Sequence, residues 1–253
     1  THNLYASTVP FKDMIMQAFT EANHEPWLEG GPDPRLAKTG EACATNADCR
    51  SNLCITVDGD MSTNDTVLVL ANGLAANPKS KTRNPKSKDF QVFQSALNHV
   101  CLELAKMIVH DGEGVHRVVT LRVNGARTVA DADAAARAVA NSALVKTSWH
   151  GGDPNWGRIM DAIGYSAAAV VEAKVDIGYS ATGGRKILWS LKHGQPAKAT
   201  FKQLCAAVAP KEFELHINLN LGKAGAVMYA ADLTEEYVEF NKGDVTDPSA
   251  LGG

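Results

Sequence analysis

Short runs of β-branched and other apolar residues alternate along this sequence with longer amphipathic segments. This alternation limits the possible folds more than any other feature. The short runs predict strands at 53–57, 66–71, 118–123, 175–178, 186–189, 214–219 and 226–230. Apolar positions three and four residues apart predict helices at 9–25, 90–109, 131–144, 159–169 and 198–209. Because strands and helices are mixed along the whole chain, we expect an α/β or α+β fold.

Size and charge exclude several classes of protein. With 253 residues, the chain can bury a substantial core as one large domain or two small ones. Its net charge of −3 gives no general attraction to nucleic acids or anionic membranes. No apolar run approaches the roughly 20 residues of a membrane span, and no signal peptide is visible. We therefore expect a cytoplasmic protein without nucleic-acid or membrane partners.

Three of the five cysteines lie close together, at Cys43, Cys49 and Cys54. Their spacing lacks the Cys-x-x-Cys pattern of a structural zinc site, and the nearest histidine, His24, lies far upstream. A local disulfide and reduced thiols both remain open for this cluster. We expect no metal site there.

A second segment has the spacing that opens a calcium-binding loop, at Asp58, Asp60, Ser62 and Asn64. Thr63 stands where such a loop needs its central glycine, and Val69 stands where it needs the closing glutamate. Both departures are severe, because the glycine allows the sharp turn and the glutamate supplies two ligand oxygens. The sequence therefore predicts no calcium site.

The first residue, Thr1, combines a hydroxyl nucleophile with a free α-amine. That amine has an ordinary pKa of about 7.7–8.0, so a large fraction is neutral near pH 7 and can accept the hydroxyl proton. A chain that begins with threonine instead of methionine leads us to expect that a preceding segment has been removed. An incidental chain boundary is the alternative interpretation.

Six stretches carry a resemblance to one protein family: 55–67, 70–73, 109–114, 153–158, 219–222 and 232–238. Together they resemble the β chain of ornithine acetyltransferase, the bifunctional glutamate N-acetyltransferase family of arginine biosynthesis. The resemblance extends in order from about residue 53 to Thr246. It implies a layered sheet-and-helix sandwich of the N-terminal-nucleophile type, completed by an α chain. On this basis we expect residues 1–160 to form the nucleophile-bearing part and residues 161–253 a smaller C-terminal α/β lobe.

The resemblance also implies a mechanism and a partner. Family members are made as one precursor that cuts itself before a threonine, and Thr1 would be that catalytic residue. It would carry an acetyl group from N-acetylornithine to glutamate as an ester. The oxyanion donors of the family lie in the α chain, with which this chain would form an α2β2 tetramer. No cofactor is implied, and acetyl-CoA remains open as a possible substrate.

Three further positions match substrate-binding residues of the family. Glu113, in the Asp111-Gly-Glu-Gly114 stretch, would offer a carboxylate to a substrate ammonium. Asn241 and Thr246 would hydrogen-bond the substrate carboxylate. Without the resemblance, Glu113 reads as an exposed residue in the loop that ends a helix. The other two then read as part of a polar tail.

Two loops depart from the family pattern, and two motifs within the sequence receive no catalytic role. The insertion loop at 26–52 is absent from the usual family pattern, and the loop at 77–88 is enlarged relative to it. For the Asp153–Arg158 motif we favour a structural role over a catalytic one. His150 invites assignment as a general base, but the α-amine of Thr1 already fills that role.

Two other functions remain open. An N-terminal-nucleophile amidohydrolase or aminopeptidase would use Thr1 in the same way and pass the acyl group to water. A non-catalytic assembly subunit would carry Thr1 incidentally. The residues that would bind an amino-acid substrate favour the acetyltransferase over the hydrolase. An assembly subunit would instead be recognised if Thr1→Ala changed neither precursor processing nor activity.

Overall fold

The computed structural model describes residues 53–60 and 88–242. Several predictions lie outside these residues and stay predictions. They are Thr1, Thr246, the helix at 9–25, the loop at 26–52, the strand at 66–71, and Cys43 and Cys49.

The chain divides into two compact units, residues 1–50 with 61–108 and residues 51–60 with 109–253. The described part of the first unit is helix α1, Lys88–His110, whose last two residues belong to the second unit. This helix confirms the one predicted at 90–109. The boundary expected near residue 160 stays a prediction, and it lies within the second unit.

In the described part of the second unit, seven strands form one mixed sheet in the order β1-β7-β2-β6-β3-β4-β5. The strands are β1 (Leu53–Thr56), β2 (Val118–Ala126), β3 (Asp176–Ala181), β4 (Leu188–Lys192), β5 (Gln195–Pro196), β6 (Glu212–Asn218) and β7 (Ala224–Ala231). β1 runs parallel to β7, and β2 runs parallel to β6, whereas the other neighbours are antiparallel.

One face of the sheet forms the core. Alternate residues of the two central strands are fully buried: Val119, Leu121, Val123, Phe213, Leu215 and Ile217. Helix α2, Val129–Ala140, packs against β2 and β7. Its buried alanines let the helix approach the sheet closely, because a methyl group takes little space. The opposite face is also largely covered, since Thr120, Glu214 and His216 of the same strands are buried.

The sequence predicted one helix at 131–144, and this prediction is wrong in extent. The structure has two helices, α2 and then α3, Ala143–His150. α2 ends at Ala140 with Asn141 as its C-cap, and the Ser142 hydroxyl accepts a hydrogen bond from the Val145 amide to begin α3. Periodicity could not show this break, because apolar residues continue from α2 into the first turn of α3.

The next helix, α4 (Trp156–Gly164), begins and ends earlier than the predicted 159–169. The Asn155 side chain accepts from the Arg158 amide at 3.1 Å and so caps the first turn. Arg158 in turn donates to the Leu144 carbonyl at 2.8 Å. The Asp153–Arg158 motif therefore starts a helix and joins it to α3, which agrees with the structural role expected for it.

Two further α-helices complete the described unit, α5 (Phe201–Val208) and α6 (Glu235–Asn241), together with a short 3₁₀ helix at Glu172–Lys174. Thr200 caps α5 and Thr234 caps α6. Within the described ranges, no helix has the length and apolar character needed to cross a membrane.

Candidate functional site

Two of the residues assigned to the substrate by resemblance lie side by side. Asn241, at the end of α6, donates from Nδ2 to Glu113 Oε2 at 2.8 Å. The same amide group donates to the Tyr237 carbonyl at 2.9 Å, one turn earlier in α6. Glu113 and Asn241 are 128 residues apart in the sequence, so the fold alone brings them together.

Glu113 belongs to a tight loop, residues 111–117, between the end of α1 and the start of β2. The Val115 amide donates to the Gly112 carbonyl at 3.1 Å, and Val115 packs against the buried Val109 and Val118. Gly114 has a φ of +63°, a conformation that favours glycine. A Cβ there would overlap the Tyr237 amide nitrogen, so the loop backbone and the first turn of α6 are in direct contact.

Asp58 joins the segment after β1 to α6. Its Oδ2 accepts from the Tyr237 hydroxyl at 2.9 Å, and its Oδ1 accepts from the Asp60 amide at 2.8 Å. Burial and the hydrogen bond to Asp58 raise the pKa of Tyr237 to about 12. Asp58 thus serves as an acceptor within the fold. Within residues 53–60 and 88–242, no group of three or more His, Cys, Asp or Glu side chains could hold a metal ion.

Asp232, directly after β7, connects the Glu113 loop to α3. Its Oδ1 accepts from the backbone amides of His116 at 3.0 Å and Arg117 at 2.9 Å. Its Oδ2 lies 3.2 Å from Nδ1 of His150, and its side chain is fully buried. His150 is therefore held by a buried carboxylate. Asp232 lies in a stretch that carried the resemblance, but no local pattern assigned it a partner.

A cavity of about 510 Å³ lies beside the same loop. Its lining comprises His110, Val115, His116, Arg117, Val118, His150, Ala209, Lys211 and Glu212. Two of its imidazoles are paired with carboxylates, His150 with Asp232 and His116 with Glu236 at 3.0 Å. The Arg117 guanidinium donates to the Val208 carbonyl. Most charged groups of this cavity therefore already form ion pairs or hydrogen bonds with other groups of the protein.

Lys146 is a buried cation that sequence reasoning missed. It lies on α3 with 2% of its surface exposed, and its Nζ donates to the Ala231 carbonyl. Burial lowers the pKa of Lys146 to about 8, against the opposite effect of Asp232 and Asp58. A lysine on an amphipathic helix normally faces water, so no local signal could have identified it.

The pKa of Lys146 predicts a pH dependence of stability. In the unfolded chain this lysine titrates near 10.5, and in the folded chain near 8. Between these values the unfolded chain binds more protons, so the free energy of unfolding rises with pH. We expect wild type to gain about 2 kcal/mol over Lys146→Met between about pH 8 and pH 10, measured by urea unfolding. The exposed Lys211→Met is the matched control, and a difference that does not vary with pH would contradict this assignment.

A second polar cluster lies on the opposite sheet face from the core. Arg122 forms two hydrogen bonds with Glu214, at 2.9 and 3.0 Å, and these lower the pKa of that carboxyl. Ser180 Oγ lies 2.8 Å from His216 Nε2, and burial lowers the pKa of His216. The same Nε2 is 3.4 Å from Glu214, so the carboxylate does not orient the ring through Nδ1 as in a catalytic triad. With Ser180 only 3% exposed, this cluster is a structural network.

Comparisons with known proteins identify the family. The sequence model of the ArgJ family matches residues 37–244. The Arginine biosynthesis bifunctional protein ArgJ of Geobacter sulfurreducens is 43% identical over 229 residues, which are 90% of this chain and 53% of that protein. The protein of the same name from Symbiobacterium thermophilum is 42% identical over 192 residues, 76% of this chain and 46% of that protein.

A solved structure agrees with these matches. The crystal structure of Arginine biosynthesis bifunctional protein ArgJ from Bacillus halodurans superposes with a TM-score of 0.66 at 37% identity. The match covers 74% of this chain and 84% of the solved one. This likeness confirms the mixed α/β fold class expected from the sequence.

The region matched by the family model includes only some of the site residues predicted from the sequence. Glu113 and Asn241 lie inside residues 37–244, whereas Thr1 and Thr246 lie outside them. The chain spans about half the length of the curated relatives described above. More than four fifths of the chain matches the family model. This chain belongs to the ArgJ family.

Proposed function

We propose that this chain is the β half of a glutamate N-acetyltransferase that moves an acetyl group from N-acetylornithine to glutamate through Thr1. Membership of the ArgJ family supports this function, since its relatives are named as bifunctional proteins of arginine biosynthesis. The observation that carries the proposal is the hydrogen bond between Asn241 and Glu113. It joins two residues that the family resemblance independently assigns to the substrate.

The chemistry proceeds in two steps on one nucleophile. Thr1 Oγ attacks the acetyl carbonyl of N-acetylornithine while the Thr1 α-amine accepts the hydroxyl proton. The carbon–nitrogen bond breaks, ornithine leaves with that proton, and an acetyl ester remains on Thr1. The amine of glutamate then attacks the ester, which releases N-acetylglutamate and restores the hydroxyl. This sequence predicts ping-pong kinetics.

Glu113 and Asn241 would bind the amino-acid part of the substrate. An ionised carboxylate can accept hydrogen bonds on both oxygens, so Glu113 can bind an ammonium while its Oε2 still holds Asn241. The Asn241 amide orients this carboxylate, and both of its Nδ2 hydrogens are donated, to Glu113 and to the Tyr237 carbonyl. It would exchange one of these two bonds for a bond to the substrate carboxylate on binding. Thr246, five residues further on, would add a hydroxyl to the same contact.

The rest of the enzyme would come from a partner. The family resemblance implies an α chain from the same precursor and an α2β2 assembly. The α chain would supply the oxyanion donors, whose removal typically costs about 10²–10³ in rate. We expect a cytoplasmic enzyme that needs no metal or cofactor, with acetyl-CoA as a possible further acetyl donor.

Intact-mass spectrometry tests this function on the chain co-purified with its α chain. After brief exposure to N-acetylornithine, we expect a gain of one acetyl group on Thr1 that glutamate removes. Turnover without any modified chain would disprove the covalent mechanism. An acetyl group that water removes as fast as glutamate would instead identify the amidohydrolase.

A further inference from the structure

The residues between β7 and α6, Asp232 to Thr234, hold both parts of the proposed substrate site. Asp232 accepts from two consecutive amides, those of His116 and Arg117, at 3.0 and 2.9 Å. His116 and Arg117 follow Glu113 in the same loop, residues 111–117. Because a buried carboxylate with two amide donors has a defined geometry, Asp232 fixes where this loop enters β2.

Thr234 makes the complementary connection to α6. Its hydroxyl donates to the Gly114 carbonyl at 2.7 Å and accepts from the Tyr237 amide at 3.0 Å. The first bond holds the residue next to Glu113, and the second caps the helix that ends with Asn241. One hydroxyl therefore joins the Glu113 loop to the Asn241 helix.

The surroundings of Asp232 make its position rigid. Its second oxygen faces His150, and the Lys146 ammonium donates to the carbonyl of Ala231, the preceding residue. Asp232 and Thr234 are 3% and 4% exposed. Neither side chain is free to bind a substrate, so any effect on the reaction must pass through Glu113 and Asn241.

We propose that Asp232 and Thr234 are positioning residues that set the spacing of Glu113 and Asn241, and thereby the affinity of the site for an ammonium-bearing amino acid. This inference rests on the proposed function of Glu113. Asp232 positions the loop by accepting hydrogen bonds from the His116 and Arg117 amides. Thr234 positions the loop and the helix together. Neither residue takes part in a chemical step.

Thr234→Val tests this role, because valine keeps the shape of threonine and removes the hydroxyl. The variant loses two hydrogen bonds to neutral backbone groups, which hold the Glu113 loop against α6. In the complete enzyme we therefore expect the KM for N-acetylornithine to rise roughly tenfold while kcat changes little. Thr234→Ser retains the hydroxyl and should restore the wild-type KM. Thr200→Val is the matched control, since the Thr200 hydroxyl caps α5 in the same way by accepting from the Gln203 amide.

A double-variant cycle separates positioning from general destabilisation. If Thr234 acts through Glu113, Thr234→Val added to Glu113→Gln should raise KM no further than Glu113→Gln does alone. Additive effects, or an unchanged KM in Thr234→Val, would overturn the proposal. If Glu113→Gln itself leaves KM unchanged while Thr1 is still acetylated, the assignment of Glu113 is wrong and this inference is overturned with it.

Amide hydrogen exchange gives a readout that does not depend on activity. Asp232→Asn weakens both accepted hydrogen bonds, so exchange at His116 and Arg117 should accelerate roughly tenfold relative to wild type. Asp161→Asn, an exposed change on α4, is the control. Unchanged exchange at both amides would overturn the role of Asp232.

Discussion

Replacing Thr1 with alanine is expected to abolish acetyl transfer and to leave the precursor uncut. The hydroxyl is the proposed nucleophile in both reactions, and removing a catalytic nucleophile lowers kcat by about 10⁴-fold or more. Steady-state assays with N-acetylornithine and glutamate measure the first effect, and gel electrophoresis of the expressed precursor measures the second.

Two related variants make this result specific. Thr1→Ser keeps a hydroxyl beside the α-amine and should retain cleavage with part of the activity. Thr8→Ala removes a threonine hydroxyl from the same segment of the sequence and should change neither property. If Thr1→Ala is processed and active like wild type, the chain is a non-catalytic subunit and the proposed mechanism is wrong.

Replacing Gly114 with alanine is expected to destabilise the fold and disrupt the substrate site together. Alanine at a φ of +63° costs about 1–2 kcal/mol. Its Cβ would also overlap the Tyr237 amide and lie 2.8 Å from Thr234 Oγ1, and such overpacking adds about 1–3 kcal/mol. The free energy of unfolding should fall by about 2–5 kcal/mol in total, as measured by denaturant unfolding.

Gly183 offers a matched control for this experiment. It has a φ of +69°, but a Cβ there meets no atom within 4 Å. Gly183→Ala should therefore cost only the conformational part, about 1–2 kcal/mol, and leave KM unchanged. Equal losses in the two variants would mean that the contact between the Glu113 loop and α6 does not constrain the site.

Local sequence patterns predicted most of the described elements. The amphipathic segment at 90–109 and the short apolar runs at 118–123 and 214–219 became α1, β2 and β6 with small changes at their ends. Each pattern reflects a repeat within a single element, so it needs no knowledge of the neighbours. The break between α2 and α3 was missed because it depends on the cap at Ser142 and leaves the apolar pattern intact.

The site, like the fold, was predictable from the sequence only in part. The order of the amino acids was enough to predict the α/β class, the likeness to the ArgJ family and the choice of Glu113 and Asn241, because motifs are recognised from neighbouring residues. The packing of distant elements was needed to show that these two side chains are in contact. It also showed that Asp232 and Thr234 hold the Glu113 loop, and that Lys146 donates to the residue before Asp232. These contacts join residues that are 85 to 128 positions apart. Such pairings depend on how strands and helices pack, and no local periodicity encodes them.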